Sequence, residues 1–287
     1  MSEPRNDPAG AAVPPLGVIG GGAMAEAILS GAIEAGVLDP SRVAVSDPNA
    51  DRRAHFESRR IHAFEPGPDL AGWLERESAG RGAQVLLAVK PQMLDAAAEA
   101  FGPSLTAVRP LTVLSILAGT TQAGLAAAFG PGAEYVRLMP NTPAAVRRGV
   151  TALATPDHPE VASFARTLFG AVGRVIEMDE LMIDAFTGVA GSGPAYLFYL
   201  VESMSQAAEG VGFDAQAARV LAEETVIGAA ELLRGSEDNA ATLRARVTSK
   251  RGTTEAAIAT LDEAGVMDAI VHAVAAARDR GQELGRS

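Results

Sequence analysis

The stretch that decides the fold is LGVIGGGAMAEAILSGAIEAG, residues 16–36. A short apolar run ends at Gly20, and the motif Gly20-x-Gly22-x-x-Ala25 opens a segment with the period of an amphipathic helix. The first glycine of such a motif permits a tight turn, the second lets the backbone approach a pyrophosphate, and the small third residue lets the helix pack on the strand. The N–H groups at the start of the helix favour phosphate. The stretch therefore predicts a dinucleotide-binding unit.

Outward from this unit, short β-rich apolar runs alternate with helical segments as far as about residue 178, which is typical of a mostly parallel sheet. The predicted strands are Leu16–Gly20, Val43–Ser46, Val85–Val89, Thr112–Ile116, Glu134–Met139, Thr151–Ala154 and Arg174–Glu177. Beyond residue 179 apolar residues recur at helical spacing. We expect a loose tail over residues 1–14, an α/β Rossmann domain over 15–178 and an all-α domain over 179–287.

Composition excludes several functions. The formal net charge of −11 argues against binding to nucleic-acid phosphates, which needs clustered cations. The chain has no cysteine, so disulfides and Cys-ligated metals are ruled out, and no metal site is expected. No apolar run approaches the 18 or so residues of a membrane span, and the opening residues lack the pattern of a secretory signal. We therefore expect a cytoplasmic protein with no membrane partner.

The helical half is rich in alanine and has a wide apolar face. Such a segment often completes its core against a copy of itself, which predicts a homo-oligomer that is at least a dimer. The alternative is a self-contained helical subdomain of a monomer.

The end of the second strand, VAVSDPNADRR at residues 43–53, bears on the coenzyme. Asp47 has the position of a carboxylate that binds the ribose 2′-hydroxyl of NAD. Donors for the 2′-phosphate of NADP are offered by Ser46, Asn49, Arg52 and Arg53. These residues are compatible with either NAD or NADP as the coenzyme. Arg52 and Arg53 could also simply lie on the solvent-exposed face of a helix.

Other motifs follow later strands. LLAVKPQ places Lys90 at the carboxyl end of a strand, where open α/β sheets bind ligands, and SILAG (115–119) and RLMPNTPA (137–144) end two further strands. In TGVAGSGPAYLFYLVESM (187–204), three glycines are expected to break one helix, and Pro194 is expected to begin the next. The free backbone N–H groups in the first turn of that second helix could bind an anion or a nicotinamide amide.

The motifs of the predicted dinucleotide-binding site contain no obvious strong acid or base. Hydroxyacid dehydrogenases carry a lysine four residues after a G-x-x-G-x-G motif, where this chain has Leu197, and its four histidines show no ligand spacing. Such a site suits a substrate that brings its own proton, as a protonated cyclic imine does, so that positioning of the reactants supplies much of the catalysis.

The stretch RVTSKRGTTEAAIATL, residues 246–261, has the features of a carboxylate site. Gly252 is expected to cap a helix from Thr253 to about Asp262, with Glu255 completing a capping box. Backbone N–H groups and the hydroxyls of Thr253 and Thr254 would then converge, with Lys250 and Arg251 adding positive charge. An ordinary capped helix with solvated cations is the alternative.

These motifs, in this order and spacing, resemble those of pyrroline-5-carboxylate reductases over nearly the whole chain, and VTSKRGTTEAAIATLDE corresponds to the family signature. The resemblance implies a Rossmann domain of the 6-phosphogluconate-dehydrogenase-like type and an all-α dimerisation domain, with dimers often assembled into a decamer. It also implies NAD(P)H-dependent reduction of 1-pyrroline-5-carboxylate to L-proline, with NADPH expected more than NADH.

The resemblance carries functional residues over by position. Those for the dinucleotide are Gly20, Gly21, Gly22, Ala23, Met24, Ala25, Ser46, Ala88, Val89, Lys90, Pro91, Ser115, Ala118 and Gly119. Those for the substrate are Glu180, Ser249, Gly252, Thr253 and Thr254. Thr187 falls where the family has a hydroxyl proposed to help protonate the imine nitrogen.

The chain departs from the family pattern in its signature loop and in its glycine loop, among other places. Lys250 and Arg251 stand where the family has Pro and Gly, and Ala23 replaces a common Asn. The first change leaves open a related substrate such as a piperideine carboxylate. A non-catalytic dinucleotide-binding sensor or assembly protein is the alternative of another class.

Overall fold

The structure of the protein is a computed structural model, and it describes residues 13–155 and 159–285. These residues divide into two compact units, one made of the described residues up to 187 together with 279–285, and the other of residues 188–278. The tail expected over residues 1–14 therefore lies almost wholly outside the described residues.

The first unit is built on an eight-stranded sheet in the order β3-β2-β1-β4-β5-β6-β7-β8. The strands are β1 Leu16–Ile19, β2 Val43–Ser46, β3 His62–Phe64, β4 Ala83–Leu87, β5 Leu111–Ser115, β6 Glu134–Met139, β7 Gly149–Ala154 and β8 Gly173–Met178. Strands β1 to β6 run parallel, β7 pairs antiparallel with β6, and β8 runs parallel to β7. This is the mostly parallel α/β arrangement that the sequence predicts.

Helices cover both faces of this sheet, which explains why its strands are apolar on both sides. The helices are α1 Ala23–Glu34, α2 Ala50–Glu57, α3 Asp69–Ser78, α4 Leu94–Leu105, α5 Gln122–Phe129, α6 Ser163–Gly170 and α7 Ile183–Phe186. One face packs Val18 and Leu86 against α1, α2 and α6, with Phe56 fully buried. The other packs Ile19 and Leu87 against α3, α4 and α5.

Strand β3 was not predicted. It is a three-residue edge strand, and two of its residues, His62 and Ala63, are weak indicators of β structure. It pairs with β2 through Val45↔Ala63 and places Phe64 beside Ser46. Its missing apolar alternation explains why the pattern did not reveal it.

The second unit is helical, as predicted. It contains α8 Gly193–Gly210, α9 Ala215–Gly235, α10 Ala240–Arg246, α11 Thr253–Glu263 and most of α12 Val266–Leu284. Of residues 188–278, all of which the structure describes, only Gly188, Ala218 and Ala222 are buried. Large apolar side chains such as Phe198 and Tyr199 are 70% and 73% exposed. In this chain taken alone the unit therefore lacks a core of large side chains.

The helix break expected at the glycines after Thr187 lies at Ser192, and the next helix begins with Pro194 in its first turn, as predicted. Residues Thr187–Gly191 continue α7 as a π-helix, and α8 follows with Pro194 in its first turn. The Tyr196 hydroxyl donates to the Gly188 carbonyl over 2.9 Å. The π-helix thus contains Gly188 and Gly191, whereas Gly193 begins α8 after the interruption at Ser192.

Candidate active site

The carboxyl ends of β1, β2 and β4 meet at the glycine loop. The Gly20 N–H donates to the Ser46 carbonyl over 2.9 Å, and the Ala88 N–H donates to the Ile19 carbonyl over 2.8 Å. Gly20 has φ +96°, and a Cβ built there would lie 2.9 Å from the Ala88 carbonyl carbon and oxygen. Only glycine fits this close approach, as the motif predicts.

A cleft of about 480 Å³ opens at these strand ends. Six of the predicted coenzyme residues line it: Gly20, Gly22, Ser46, Ala88, Val89 and Lys90. The remainder of the lining is largely apolar and includes Met93, Ala97 and Phe101 from the segment after β4. An apolar cleft with a few polar groups at one edge suits a flat heteroaromatic ring joined to phosphates.

The first turn of α1 follows this loop. Gly22 is its N-cap and provides no side-chain hydrogen bond, so the N–H groups of Ala23, Met24 and Ala25 are available to an anion. No atom lies within 4 Å of a Cβ built at Gly22, so the cleft side of the loop is open. This geometry fits a pyrophosphate.

The other predicted coenzyme residues lie at neighbouring strand ends. Pro91 begins the 3₁₀ turn Pro91–Met93 that leads into α4. Ser115 ends β5, is fully buried, and accepts a hydrogen bond from the Leu117 N–H over 3.3 Å. Gly119 has φ +75° in the following loop, next to Ala118. Ser46 is also buried, and its hydroxyl donates to the Glu65 carbonyl over 3.0 Å.

The polar residues after β2 are bonded to protein groups. Asp47 accepts from the backbone N–H groups of Gly21 and Asn49, each over 2.8 Å. Arg52 donates to the Gly21 carbonyl over 2.7 Å and pairs with Glu26. Arg53 donates to the carbonyls of Asp47 and Pro48, each over 2.9 Å. The two arginines, equivalent in the sequence, therefore have different positions.

Glu180, expected near the substrate, belongs to a charged cluster of the first unit. Its Oε1 accepts from the Gln122 N–H, the first residue of α5, over 2.7 Å, and lies 3.9 Å from Arg137 Nη1. Arg137 Nη2 donates to Asp184 over 2.8 Å. The sequence analysis missed Arg137 and Asp184, because a single arginine within RLMPNTPA gives no sign of partners more than forty residues away.

Thr187, the residue expected to assist proton transfer, begins the π-helix. Its hydroxyl donates to the Ile183 carbonyl over 2.8 Å. Since a carbonyl cannot donate, the Thr187 oxygen presents only lone pairs to any further partner.

In the second unit, Gly252 is the N-cap of α11, as predicted. The Gly252 N–H donates to the Ser249 carbonyl over 2.9 Å, and a Cβ at Gly252 would collide with Ser249 Oγ. Thr253 and Thr254 are the first two helical residues, and no side chain caps their turn. The predicted capping box is displaced by one residue, because Glu255 accepts from the Arg251 N–H over 2.7 Å.

Within the described residues, 13–155 and 159–285, no group of three or more His, Asp or Glu side chains could hold a metal ion. In the same ranges no helix is both long and apolar enough to span a membrane.

Comparisons with known proteins extend along nearly the whole chain. A family model for pyrroline-5-carboxylate reductase dimerisation matches residues 180–284, and a model for NADP oxidoreductase, coenzyme F420-dependent, matches residues 15–119. Pyrroline-5-carboxylate reductase of Synechocystis sp. is 40% identical over 273 residues, which cover 94% of this chain and 98% of that protein. The reductase of Arabidopsis thaliana is 35% identical over 275 residues, covering 95% and 96%.

Solved structures agree. A pyrroline-5-carboxylate reductase from Coxiella burnetii superposes with a TM-score of 0.83 at 32% identity, covering 96% of this chain and 100% of that one. The Plasmodium falciparum pyrroline carboxylate reductase, solved with NADP bound, gives a TM-score of 0.79 at 22% identity, covering 94% and 97%.

These matches confirm the resemblance and the fold class. The exposed apolar helices of the second unit correspond to the family's dimerisation domain, so the chain forms a homodimer. The chain therefore belongs to the pyrroline-5-carboxylate reductase family and is an NAD(P)H-dependent oxidoreductase.

Proposed function

We propose that the chain reduces 1-pyrroline-5-carboxylate to L-proline with NADPH in preference to NADH, and that the residues carried over by position bind coenzyme and substrate. The observation that supports this most is the strand-end cleft with its glycine loop, in a chain similar to reductases of this substrate over its length. When bound, the dinucleotide supplies the hydride for the imine carbon. The remaining tasks fall to side chains and backbone of this protein.

The glycine loop and the strand ends hold the dinucleotide. Gly20 and Gly22 leave room for the backbone to approach the pyrophosphate, and the first-turn N–H groups of α1 bind its oxygens. Ser46, Ala88, Val89, Lys90 and Pro91 border the adenosine side, while Ser115, Ala118 and Gly119 are assigned to the nicotinamide side.

Preference for NADPH is supported by Arg53. Its side chain is 18% exposed, and its guanidinium is held at the end of β2 by two backbone carbonyls, while its third bond goes to Glu65, whose side chain is 77% exposed. Because the Glu65 side chain is well solvated, the carboxylate gains little from this ion pair, and a 2′-phosphate can replace it at small cost. Arg52 is committed to the glycine loop and is not assigned to this phosphate.

The substrate carboxylate is assigned to the N-terminus of α11. The N–H groups and hydroxyls of Thr253 and Thr254 offer charge-assisted hydrogen bonds, and Ser249 borders the same turn. Glu180 is assigned to the neighbourhood of the substrate, as the resemblance implies.

Thr187 acts on the imine nitrogen. A cyclic imine that arrives protonated carries an N–H group. The Thr187 hydroxyl already donates its hydrogen bond to the Ile183 carbonyl, so its oxygen can accept a hydrogen bond from that N–H group. Thr187 therefore orients the iminium and stabilises its charge. This agrees with the absence of a strong acid from the motifs and assigns most of the rate to positioning.

Turnover assays test this function. NADPH and NADH oxidation should be followed with 1-pyrroline-5-carboxylate and with piperideine carboxylates, because Lys250 and Arg251 alter the carboxylate loop. We expect the highest kcat/KM for pyrroline carboxylate with NADPH. A higher value for a six-membered ring would reassign the substrate, and coenzyme binding without turnover would favour a sensor or assembly role.

The coenzyme assignment has a matched test. Arg53→Ala should raise the KM for NADPH and leave that for NADH nearly unchanged, because NADH lacks the 2′-phosphate. A parental preference for NADH would contradict the assignment. Assembly of dimers into a decamer and a cytoplasmic location are further parts of the proposal, and sedimentation velocity of the purified protein tests the former.

A further inference from the structure

The middle residue of the glycine loop is bonded through both of its backbone polar groups to side chains distant in sequence. The Gly21 N–H donates to Asp47 Oδ2 over 2.8 Å, and the Gly21 carbonyl accepts from Arg52 Nε over 2.7 Å. The two side chains lie 26 and 31 residues further along the chain, after β2 and in the first turn of α2. Asp47, Arg52 and Gly21 together are called the loop clamp below.

Both side chains of the loop clamp are themselves held in place. Asp47 Oδ1 accepts from the Asn49 N–H over 2.8 Å. Arg52 pairs with Glu26 Oε2 over 2.7 Å, and its guanidinium carbon lies 5.2 Å from the centroid of the Phe56 ring. Fixed partners lose little entropy when they bond, so the clamp is organised before any ligand arrives.

Gly21 faces the protein interior, unlike its neighbour. A Cβ at Gly21 would lie 2.7 Å from Phe56 Cε2 and 3.1 Å from Val45 Cγ1, whereas one at Gly22 would meet nothing within 4 Å. The polar groups of Gly21 are therefore used within the protein, and the cleft side of the loop is left to Gly22 and the first turn of α1.

We propose that Asp47 and Arg52 are positioning residues that fix the glycine loop for the pyrophosphate, and that Asp47 is not a ligand of the adenosine ribose. The proposal rests on the dinucleotide binding proposed above. An acidic residue after the second strand ordinarily accepts from the ribose 2′-hydroxyl. Here each oxygen of that carboxylate accepts a backbone N–H over 2.8 Å, so Asp47, which also lines the cleft, is held against the glycine loop before any ribose is present.

The two roles of Asp47 predict different coenzyme profiles. The pyrophosphate is common to NADP⁺ and NAD⁺, so loss of the clamp weakens both by the same factor. Loss of a charge-assisted hydrogen bond corresponds to roughly tenfold in affinity. Loss of a ribose ligand would instead weaken NAD⁺ and strengthen NADP⁺, because the repulsion of the 2′-phosphate would be removed.

Two substitutions at Asp47 distinguish the effect of its hydrogen bond with the Gly21 N–H from the effect of its negative charge. Asp47→Asn keeps an oxygen acceptor for the Gly21 N–H and removes the charge, whereas Asp47→Ala removes both. Asp39→Ala is the matched control, because Asp39 also accepts a backbone N–H, from Ser41 over 2.9 Å, but lies before the start of β2. Calorimetric Kd values for NADP⁺ and NAD⁺ are measured on the full-length dimer without imine.

The loop clamp predicts that Asp47→Ala raises both Kd values about tenfold with an unchanged ratio, that Asp47→Asn stays within about threefold of the parent, and that Asp39→Ala has no effect. With NADPH, Asp47→Ala should raise KM while kcat at saturation changes little. Arg52→Met should likewise weaken both coenzymes, with circular dichroism showing that the variant is folded.

Two outcomes would overturn the proposal. If Asp47→Asn and Asp47→Ala both lowered the Kd for NADP⁺ relative to that for NAD⁺, and by the same factor, Asp47 would be identified as a ribose ligand. Unchanged Kd values in Asp47→Ala would show that the loop needs no clamp. Failure of the parent itself to bind either dinucleotide would instead contradict the proposed function, so the two failures are distinguishable.

Discussion

Arg137 and Asp184 form an ion pair 2.8 Å long between β6 and α7, and the Arg137 side chain is only 3% exposed. Glu180 Oε1 lies 3.9 Å from the same guanidinium. The side chains of Asp184 and Glu180 are 20% and 27% exposed, so water reaches them far better than it reaches the arginine. Removing the carboxylate of Asp184 should therefore cost more free energy of unfolding than removing the guanidinium of Arg137.

Asp184→Ala should lower the free energy of unfolding by about 3 kcal/mol, because it leaves a buried cation with one distant carboxylate. Arg137→Met should cost only about 1 kcal/mol, since an apolar chain fills the space and water hydrates the freed carboxylates. Urea denaturation at a fixed protein concentration measures both. Equal losses would show that Arg137 is better solvated than its burial indicates.

Thr187→Ala should lower kcat by roughly tenfold and leave measurable turnover, because it removes one acceptor for a substrate that is already protonated. Thr187→Ser keeps the hydroxyl and its bond to the Ile183 carbonyl, so it should retain most of the rate. Steady-state assays at saturating NADPH test this. Complete loss of activity in the alanine variant would identify an essential acid at this position.

Thr254→Val should raise the KM for the imine by about tenfold and leave that for NADPH unchanged, because it deletes one donor to the carboxylate without changing the shape. Thr260→Val is the control on the same helix, since its hydroxyl donates only to the Ala256 carbonyl. An imine KM equal to that of the parent would remove Thr254 from the site.

Arg251→Gly should raise the free energy of unfolding by about 1 kcal/mol, because Arg251 has φ +60° in the left-handed region that favours glycine. Lys250→Gly is the neighbouring control, and it should destabilise the protein slightly, since glycine there adds only unfolded-state entropy. Thermal and urea unfolding of both variants test the opposite signs. Destabilisation in both would mean that the Arg251 side chain makes a stabilising contact.

Glu26 gives the protein a pH-dependent contribution to stability. The hydrogen bond from Arg52 lowers the pKa of Glu26 below its ordinary value of 4.5. A carboxylate with a depressed pKa stabilises the fold above its unfolded-state pKa, and that stabilisation is lost as pH falls through the folded-state value.

Glu26→Gln should therefore be less stable than the parent at pH 7, and the difference should shrink as pH falls below about 4.5. Glu34→Gln is the control, because Glu34 is exposed at the end of the same helix. A difference that stays constant from pH 7 to pH 3 would show that the Arg52 contact does not depend on the charge of Glu26.

Local rules were sufficient for most of the sheet. Its seven longer strands carry apolar runs at the expected places, and the Gly20 loop required a glycine that hard-sphere geometry alone explains. The cap at Gly252 was equally local. The apolar runs and the helix cap depend on residues close in sequence, and the Gly20 turn has a recognisable glycine motif, although the backbone it approaches, at Ala88, is distant in sequence.

The remainder depended on contacts made at long range. Whether Asp47 faces a ribose or the Gly21 N–H is decided by the path of a loop 26 residues away. The same holds for Arg137, whose partner Asp184 is 47 residues away. The boundary expected after residue 178 marks the last strand, whereas the compact units divide after Thr187, because α7 packs with the sheet.

The last turn of α12 belongs to the first unit, since residues 279–285 group with the sheet and not with the other helices. Gly281 lies against Asp184, and Gly285 approaches the Gly119 carbonyl so closely that a Cβ would clash there. The nucleotide-binding half is therefore assembled from two stretches of sequence that the helices of the second unit separate. The nucleotide-binding half acquires its final contacts only after the ribosome has translated the intervening helices, so a nascent chain halted at residue 187 would carry an unfinished sheet domain.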